Sequence, residues 1–203
     1  MESISLLINA IIQVIILSII PFLWWIISDR KNSSFLQWIG LRKIIIKDKK
    51  KYVLTIFIML LISLITIFGI LPLFVDTSYN ATSQFEGKGV SALIPALIFS
   101  FIQTGLSEEI FFRGFLAKRF INKFGFRIGN VIQGLLFGLM HGIFFYSIAG
   151  VFGSIIIILL TGLSGWVSGW FNEEQSGGSI ISSWMIHGLG NIISSIAVMF
   201  NLI

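Results

Sequence analysis

Two adjacent carboxylates and a guanidinium interrupt an apolar stretch of this sequence. Glu108, Glu109 and Arg113 lie in "SEEIFFRG", directly after "SALIPALIFSFIQTGL". The two histidines of the chain, His141 and His187, also lie within apolar runs. An ionisable side chain at membrane depth costs about 2.5 kcal/mol or more unless it is paired or hydrated, so each of these residues is a candidate for function.

Helical spacing assigns different partners to the two acidic residues. Glu109 and Arg113 are four residues apart, on one face of a helix, and we expect them to form an ion pair. That pair either holds the helix in place or shapes a site, and both readings stay open. Glu108 is rotated by about 100° from Glu109, so it has no local partner and requires a metal, a water or a distant base.

Two further pairs repeat the four-residue spacing. "FGLMH" places Phe137 before His141, and "HGLGN" places His187 before Asn191. A partly dehydrated carboxylate is an effective general base near neutral pH, and an imidazole beside it can share the proton. The other imidazole and the asparagine amide can donate hydrogen bonds to an oxyanion. The set therefore suits the attack of water on an amide.

Other hydrolytic chemistries lack their residues in this chain. The sequence has no cysteine, no G-x-S-x-G and no H-E-x-x-H, and its apolar runs contain no aspartate. A covalent acyl-enzyme is therefore disfavoured, and a paired-aspartate intramembrane protease is excluded. Glu108, His141 and His187 are also candidate ligands for Zn²⁺ or another divalent metal, with one position left for water.

The elements that carry these residues must lie in a lipid bilayer. The chain is 56% hydrophobic and 11% charged, and its mean hydropathy is +0.96. A soluble domain of 203 residues cannot bury so much apolar surface. The net charge of +5 comes from residues beside apolar runs, where it sets topology, so we expect no nucleic-acid partner. The predicted fold class is an all-α, polytopic helical membrane protein.

Hydropathy predicts six spans, each close to the ~20 residues that cross a bilayer. They are 3–27, 52–75, 91–117, 129–147, 149–171 and 179–201. The first has no basic region before it, which favours a retained transmembrane helix over a cleaved signal peptide. The glycine-rich sequence of the fourth and fifth spans indicates a break near Gly150. Small residues at four-residue spacing predict close helix packing at Gly134, Gly138, Gly142, Gly165 and Gly169.

Basic residues set the predicted orientation of these spans. Residues 28–51 contain eight Lys or Arg and residues 118–127 contain four, whereas residues 76–90 contain one. The positive-inside rule places the first and third linkers in the cytoplasm and both termini outside. The fifth linker, "NEEQSGG", then also faces the cytoplasm.

This orientation brings the candidate residues to one depth. Glu108, His141 and His187 all fall in the cytoplasmic half of the bilayer, although they lie on different spans. Within the first linker, "FLQWIGL" either lies flat on an anionic leaflet or belongs to a solvated loop, and the sequence favours neither reading.

The three motifs together resemble a known family. "EEIFFRG", "FGLMH" and "HGLGN" are similar to the motifs Glu-Glu-x-x-x-Arg, Phe-x-x-x-His and His-x-x-x-Asn/Asp of the CPBP family. That family comprises CAAX prenyl endopeptidases and bacteriocin-processing (Abi) proteins. The match spans about 107–191, and every motif position agrees. The resemblance implies one membrane domain, 1–203, with two helices and a basic linker in 1–75 and a catalytic core of four helices in 91–203.

The resemblance also implies a role for each residue. Glu108 would activate water with help from His141, while His187 and Asn191 would hold the oxyanion or a metal. The supporting residues would be Glu109, Arg113 and Phe137. Metal-assisted and metal-free hydrolysis are both compatible with this set.

Three functions from different classes follow from these residues. The leading one is an intramembrane peptidase that cuts a small peptide or membrane-protein tail from the cytoplasmic side of a bacterial plasma membrane, in peptide maturation, bacteriocin immunity or signalling. The second is a non-catalytic immunity or scaffold protein, and the third is an ion or proton carrier. The off-centre site and the lack of paired broken helices argue against the carrier. The Ile- and Lys-rich chain resembles Gram-positive members, so an isoprenylated native substrate is not expected.

Overall fold

The structure is a computed structural model that describes residues 2–203. These residues are almost entirely helical, and none of them is in a strand. Four helices are long and apolar enough to cross a membrane: Ser3–Ser28, Lys49–Leu73, Gly89–Gln175 and Ile181–Met199. The all-α membrane fold is thus confirmed, whereas the count of six spans stays a prediction.

The third of these helices has 87 residues and is broken at two glycines. Gly125 has φ 77° and ψ 164°, and Gly150 has φ 65° and ψ −174°. These positive-φ conformations are accessible to glycine because it lacks a Cβ. The break predicted near Gly150 is confirmed. The two breaks define three helices, which we number α4 (93–124), α5 (126–149) and α6 (151–170).

The remaining elements complete the numbering. The helices before the breaks are α1 (Glu2–Ser28), α2 (Phe35–Trp38) and α3 (Lys49–Ile65), and the last helix is α7 (Ile181–Met199). Wider π turns extend α3 over Thr66–Ile70 and α6 over Phe171–Gln175. Short 3₁₀ segments are Leu71–Leu73, Thr77–Tyr79, Ala81–Phe85 and Gly89–Ala92.

Most of α4 is wound as π-helix, in two segments, Ile98–Leu106 and Glu109–Ala117. Glu108 lies between these segments. Wider turns of this kind occur frequently at functional sites. Helix α4 packs against α1, α5 and α7, so its side chains can reach three neighbours.

Helices α5 and α6 pack closely through glycines, as predicted. A methyl group on Gly134 would lie 2.9 Å from the carbonyl oxygen of Gly162, so only hydrogen fits there. Asn130 Nδ2 donates to the Trp166 carbonyl at 2.9 Å, and Gln133 Nε2 donates to Asn130 Oδ1 at 2.8 Å. These two amides therefore join the helix pair and stand outside the chemistry of the site.

The first linker folds back onto the helices, so the reading of "FLQWIGL" as a solvated loop is wrong, whereas contact of its exposed Leu36 with a leaflet stays a prediction. Trp38 is 6% exposed and Ile39 is fully buried. They pack in a cluster with Ile110 of α4 and Ile180 at the start of α7, and the Ile180 N–H donates to the Gly40 carbonyl at 2.9 Å. Burial against protein removes the apolar surface of Trp38 and Ile39 from water, which neither reading considered.

The first, third and fifth linkers meet at one end of the molecule. Arg42 Nη2 donates to the Gly177 carbonyl at 2.7 Å, and Ser179 Oγ donates to the Arg42 carbonyl at 2.7 Å. At the same end, Lys118 Nζ lies 2.7 Å from Glu173 Oε1. The expectation that these three linkers share a side is confirmed. We call this side the linker end.

Candidate active site

The structure brings together all seven residues singled out in the sequence. They come from three helices that pack on one another: Glu108, Glu109 and Arg113 from α4, Phe137 and His141 from α5, and His187 and Asn191 from α7. Glu108 is ten residues before Lys118, about 15 Å or less along the helix from the linker end. His187 is six residues after the start of α7, or about 9 Å.

Glu109 and Arg113 form the predicted ion pair, with Arg113 Nη1 3.3 Å from Glu109 Oε1. Both side chains are buried, at 0% and 2% exposure. The Arg113 guanidinium also lies 4.0 Å from the centroid of the Phe137 ring, so the pair is joined to α5 by a cation–π contact. Phe137 in turn packs on the His141 ring, with centroids 4.5 Å apart.

His187 lies between the two glutamates. Its Nδ1 is 3.2 Å from Glu109 Oε1, and its Nε2 is 3.9 Å from Glu108 Oε2. Because an ionised carboxylate can only accept, Nδ1 carries the proton of this hydrogen bond. The Glu109 carboxylate therefore orients the ring and directs Nε2 toward Glu108.

Glu108 presents a buried oxygen that has no hydrogen-bond partner. Among the described residues, nothing donates to its Oε2. The 3.9 Å to His187 Nε2 is too long for a hydrogen bond, but a water placed about 2.8 Å from each atom would satisfy both. A buried acceptor of this kind needs such a partner.

His141 is held by its own helix. Its Nδ1 lies 2.9 Å from the Phe137 carbonyl oxygen, which accepts the proton of that nitrogen. This leaves Nε2 free for the cavity that the ring lines. Glu108 and His187 are both within electrostatic range of the ring.

Asn191 is anchored by a residue that sequence reasoning missed. Its Nδ2 donates to Thr104 Oγ1 at 2.8 Å, and the Thr104 hydroxyl donates to the Phe99 carbonyl at 3.0 Å. The amide has a second N–H that can serve a ligand in the cavity. Thr104 gave no signal in the sequence, because a threonine in an apolar helix is unremarkable.

Ser183 and Asn172 were also missed, and they fix Glu109 from the other side. The Ser183 hydroxyl donates to Glu109 Oε2 and accepts from Asn172 Nδ2 at 2.7 Å. The Ser183 backbone N–H donates back to Asn172 Oδ1 at 3.3 Å. Both residues are 1% exposed. Ser183, His187 and Asn191 follow at four-residue spacing, a signal that could have identified Ser183, whereas Asn172 has none.

A cavity of about 190 Å³ opens beside these residues. Arg113, Phe137, His141, His187 and Asn191 line its inner wall, and α3, α6 and α7 form the others. The volume is sufficient for several waters or a short stretch of peptide. The cavity gives His141, His187 and Asn191 access to a substrate, whereas Glu108 lies behind His187 and is not one of the lining residues.

The candidate metal ligands have suitable donor atoms, but their side chains are not arranged around one point. Both histidines present a free Nε2 while a second group orients the other ring nitrogen, as in many metal sites. Among residues 2–203, however, no three His, Asp or Glu side chains come together as a metal-binding group. The candidate ligands Glu108, His141 and His187 would have to move to bind one ion.

Comparison with known proteins identifies a family that this chain matches. A family model described as type II CAAX prenyl endopeptidase Rce1-like matches residues 90–193, which include every candidate residue above. No curated protein and no solved structure matches the chain.

Proposed function

The chain belongs to the Rce1-like type II CAAX prenyl endopeptidase family, and from this premise we propose that it is an intramembrane endopeptidase in which Glu108 activates the attacking water. The observation that carries the proposal is the buried, unpartnered Oε2 of Glu108, 3.9 Å from His187 Nε2. A base, an oriented imidazole and a free amide N–H beside one cavity are the groups that hydrolysis of a peptide bond requires.

In the first step, water bound at Glu108 attacks the carbonyl carbon of the scissile peptide. A C–O bond forms, one water proton passes to the Glu108 carboxylate, and the carbonyl π electrons move to oxygen. The second Asn191 amide N–H donates to this oxyanion. The Nε2 atoms of His141 and His187 carry no proton in these tautomers, so they accept hydrogen bonds from the attacking water and orient it. Their orientation is fixed in advance, so no reorganisation is needed as the charge develops.

In the second step, the oxyanion collapses and the C–N bond breaks. The departing nitrogen takes the proton held by Glu108, which restores the carboxylate for the next cycle. The products are a carboxylic acid and an amine, and one water is consumed. Glu109, Ser183 and Asn172 do not touch the reacting atoms and act by positioning His187.

A divalent metal, if bound, would polarise the carbonyl or the water at the same cavity. Glu108 and the Nε2 atoms of His141 and His187 would hold it. No step above depends on it.

The charge of the linkers and the resemblance of the motifs support a proposal for the wider setting. We propose six spans, with α4, α5 and α6 each crossing the membrane. The basic linker end faces the cytoplasm of a bacterial plasma membrane. The proposed domain organisation is a single membrane domain, 1–203, whose catalytic core is 91–203. The substrate is a small peptide or the tail of a membrane protein. The biological role is peptide maturation, bacteriocin immunity or signalling. Membrane lipids surround the helices.

The test is hydrolysis of an internally quenched CAAX peptide, farnesylated and unmodified, by the purified protein in liposomes. Glu108→Gln keeps the shape of the side chain and removes the base, so kcat falls about 10²- to 10⁴-fold. Glu86→Gln changes an exposed glutamate outside the cavity and serves as the matched control. Full activity of Glu108→Gln would refute the assignment. Bacteriocin protection that survives loss of Glu108 and His141 would favour a non-catalytic immunity protein instead.

A further inference from the structure

Two helix surfaces that line the cavity carry hydroxyl groups with no part in the proposed hydrolysis. Helix α3 and its π extension contribute Ser63 and Thr66, and α6 contributes Thr161, Ser164 and Ser168. The first pair is three residues apart, and the second set has spacings of three and four. Each set therefore forms a stripe on one helix face. We call them the hydroxyl stripes.

The hydrogen bonds of these groups leave their oxygens available. Ser63 Oγ donates to the Met59 carbonyl at 3.0 Å, and Thr161 Oγ1 donates to the Ile157 carbonyl at 2.6 Å. Their lone pairs remain free to accept. Within residues 2–203, the hydroxyls of Thr66 and Ser164 have no hydrogen-bond partner.

Free hydroxyls in this position need an explanation. The stripes lie in helices that are apolar enough to span a membrane, and their hydroxyls line the cavity, where a water or a ligand must serve as partner. The same physics applies to a substrate. A peptide held open for cleavage exposes backbone N–H and C=O groups, and each of them also needs a partner at membrane depth.

From this complementarity we infer that the hydroxyl stripes bind the extended backbone of the substrate on its way to Glu108. The inference rests on the proposed peptidase function and adds how the substrate is held. Oxygens of Ser63 and Thr161 accept from peptide N–H groups, and the free hydroxyls of Thr66 and Ser164 donate to peptide carbonyls.

The length of the stripe on α6 sets the size of the bound segment. Thr161 and Ser168 are seven residues apart, which is about 10.5 Å along a helix. An extended chain advances about 3.4 Å per residue, so the stripe matches about three residues of substrate. Apolar side chains such as Met59, Ile67 and Leu160 separate the hydroxyls in the lining. The ligand class is therefore an extended, apolar peptide of about three residues beside the scissile bond.

Kinetics of the internally quenched peptide test the stripes. The double variant Thr66→Val with Ser164→Ala removes both free hydroxyls at almost constant volume. Groups that hold substrate and transition state equally affect KM alone, so KM rises about tenfold while kcat stays within about twofold. The controls are Thr55→Val and Ser154→Ala, which remove a hydroxyl from α3 and α6 outside the cavity lining. An unchanged KM, or an equal rise in the controls, overturns the inference.

A second measurement does not depend on cleavage. The chain has no cysteine, so the single change Ser164→Cys gives one site for a water-soluble maleimide. We expect the same CAAX peptide to slow that labelling at least fivefold, and Glu86→Cys, at an exposed position outside the cavity, to show no protection. Protection without cleavage supports the stripes and contradicts the peptidase. Cleavage without protection supports the peptidase and overturns the stripes.

Discussion

The Oε2 atom of Glu108 lies 3.9 Å from the Nε2 atom of His187, while Nδ1 of the same ring is already bound to Glu109. The two adjacent glutamates thus have different roles. Glu109 is buried and hydrogen-bonded on both oxygens, and it orients the ring. Glu108 has an oxygen with no partner, which is the arrangement expected of a base that binds water.

Shortening the base should weaken catalysis without abolishing it. Glu108→Asp keeps a carboxylate but withdraws it by about one C–C bond from His187 Nε2. A positioning error of about 1 Å lowers the reaction rate up to about 10²-fold. The kcat of Glu108→Asp should therefore lie between the kcat of the wild type and that of Glu108→Gln. Peptide hydrolysis in liposomes measures this order. Equal activity of the Asp and Gln variants would show that the carboxylate itself is dispensable.

The hydroxyl of Ser183 should affect catalysis through Glu109. Ser183→Ala removes the donor to Glu109 Oε2, so His187 is oriented less well and kcat falls about tenfold with KM unchanged. Ser182→Ala is the matched control, because Ser182 is equally buried on α7 but bonds to Tyr52. A KM change, or the same loss of kcat in Ser182→Ala, would argue against a positioning role.

Removing Arg113 separates an architectural role from a catalytic one. Arg113→Met leaves the Glu109 carboxylate buried without its cation, which destabilises the fold by about 3–5 kcal/mol. The double variant Glu109→Gln with Arg113→Met removes both charges and should regain most of that stability while hydrolysis stays impaired. Unfolding in detergent and peptide cleavage measure the two effects. Recovery of both stability and activity in the double variant would show that the pair is purely structural.

The docked first linker should protect its own backbone. Trp38→Ala removes a buried ring that packs on Phe115 and carries the Arg119 guanidinium 3.9 Å from its centroid. A Trp→Ala change in a core lowers the free energy of unfolding by about 3–5 kcal/mol. We therefore expect the linker to detach from the helices and trypsin to cleave at its lysines faster. Leu36→Ala, at a residue that is 56% exposed, is the control. Equal cleavage rates in the two variants would contradict docking in solution.

Chelation tests the metal reading. Because Glu108, His141 and His187 do not converge on one point, we expect peptide hydrolysis to withstand a chelator. We also expect elemental analysis to find less than one divalent metal per chain. Activity that is lost on chelation and returns with Zn²⁺ would instead show that the three side chains close around an ion.

The motif residues could be predicted because helix spacing is a local property. Four-residue spacings placed Glu109 with Arg113 and His187 with Asn191, and hydropathy with charge placed the three linkers at one end. The partners of these residues could not be predicted. Thr104 is 87 positions from the Asn191 amide that donates to it, and Asn172 acts on Glu109 only through Ser183. Threonine and asparagine are also common in any helix. The docking of Trp38 depends on a pocket that forms only when α4 and α7 are assembled.

The wide turns of α4 have a consequence for how this sequence can change. Each residue of an α-helix advances the direction of all later side chains by about 100°, and each residue of a wider π turn by a somewhat smaller angle. Deleting any one residue in Ile98–Leu106 would therefore turn Glu108 and Glu109 by such an angle relative to everything before them, with no change in the identity of either. Substitutions in this segment change how its side chains pack. A change in its length instead rotates Glu108 and Glu109 about the helix axis. We expect the number of residues between Leu97 and Glu108 to tolerate change less than their chemistry does.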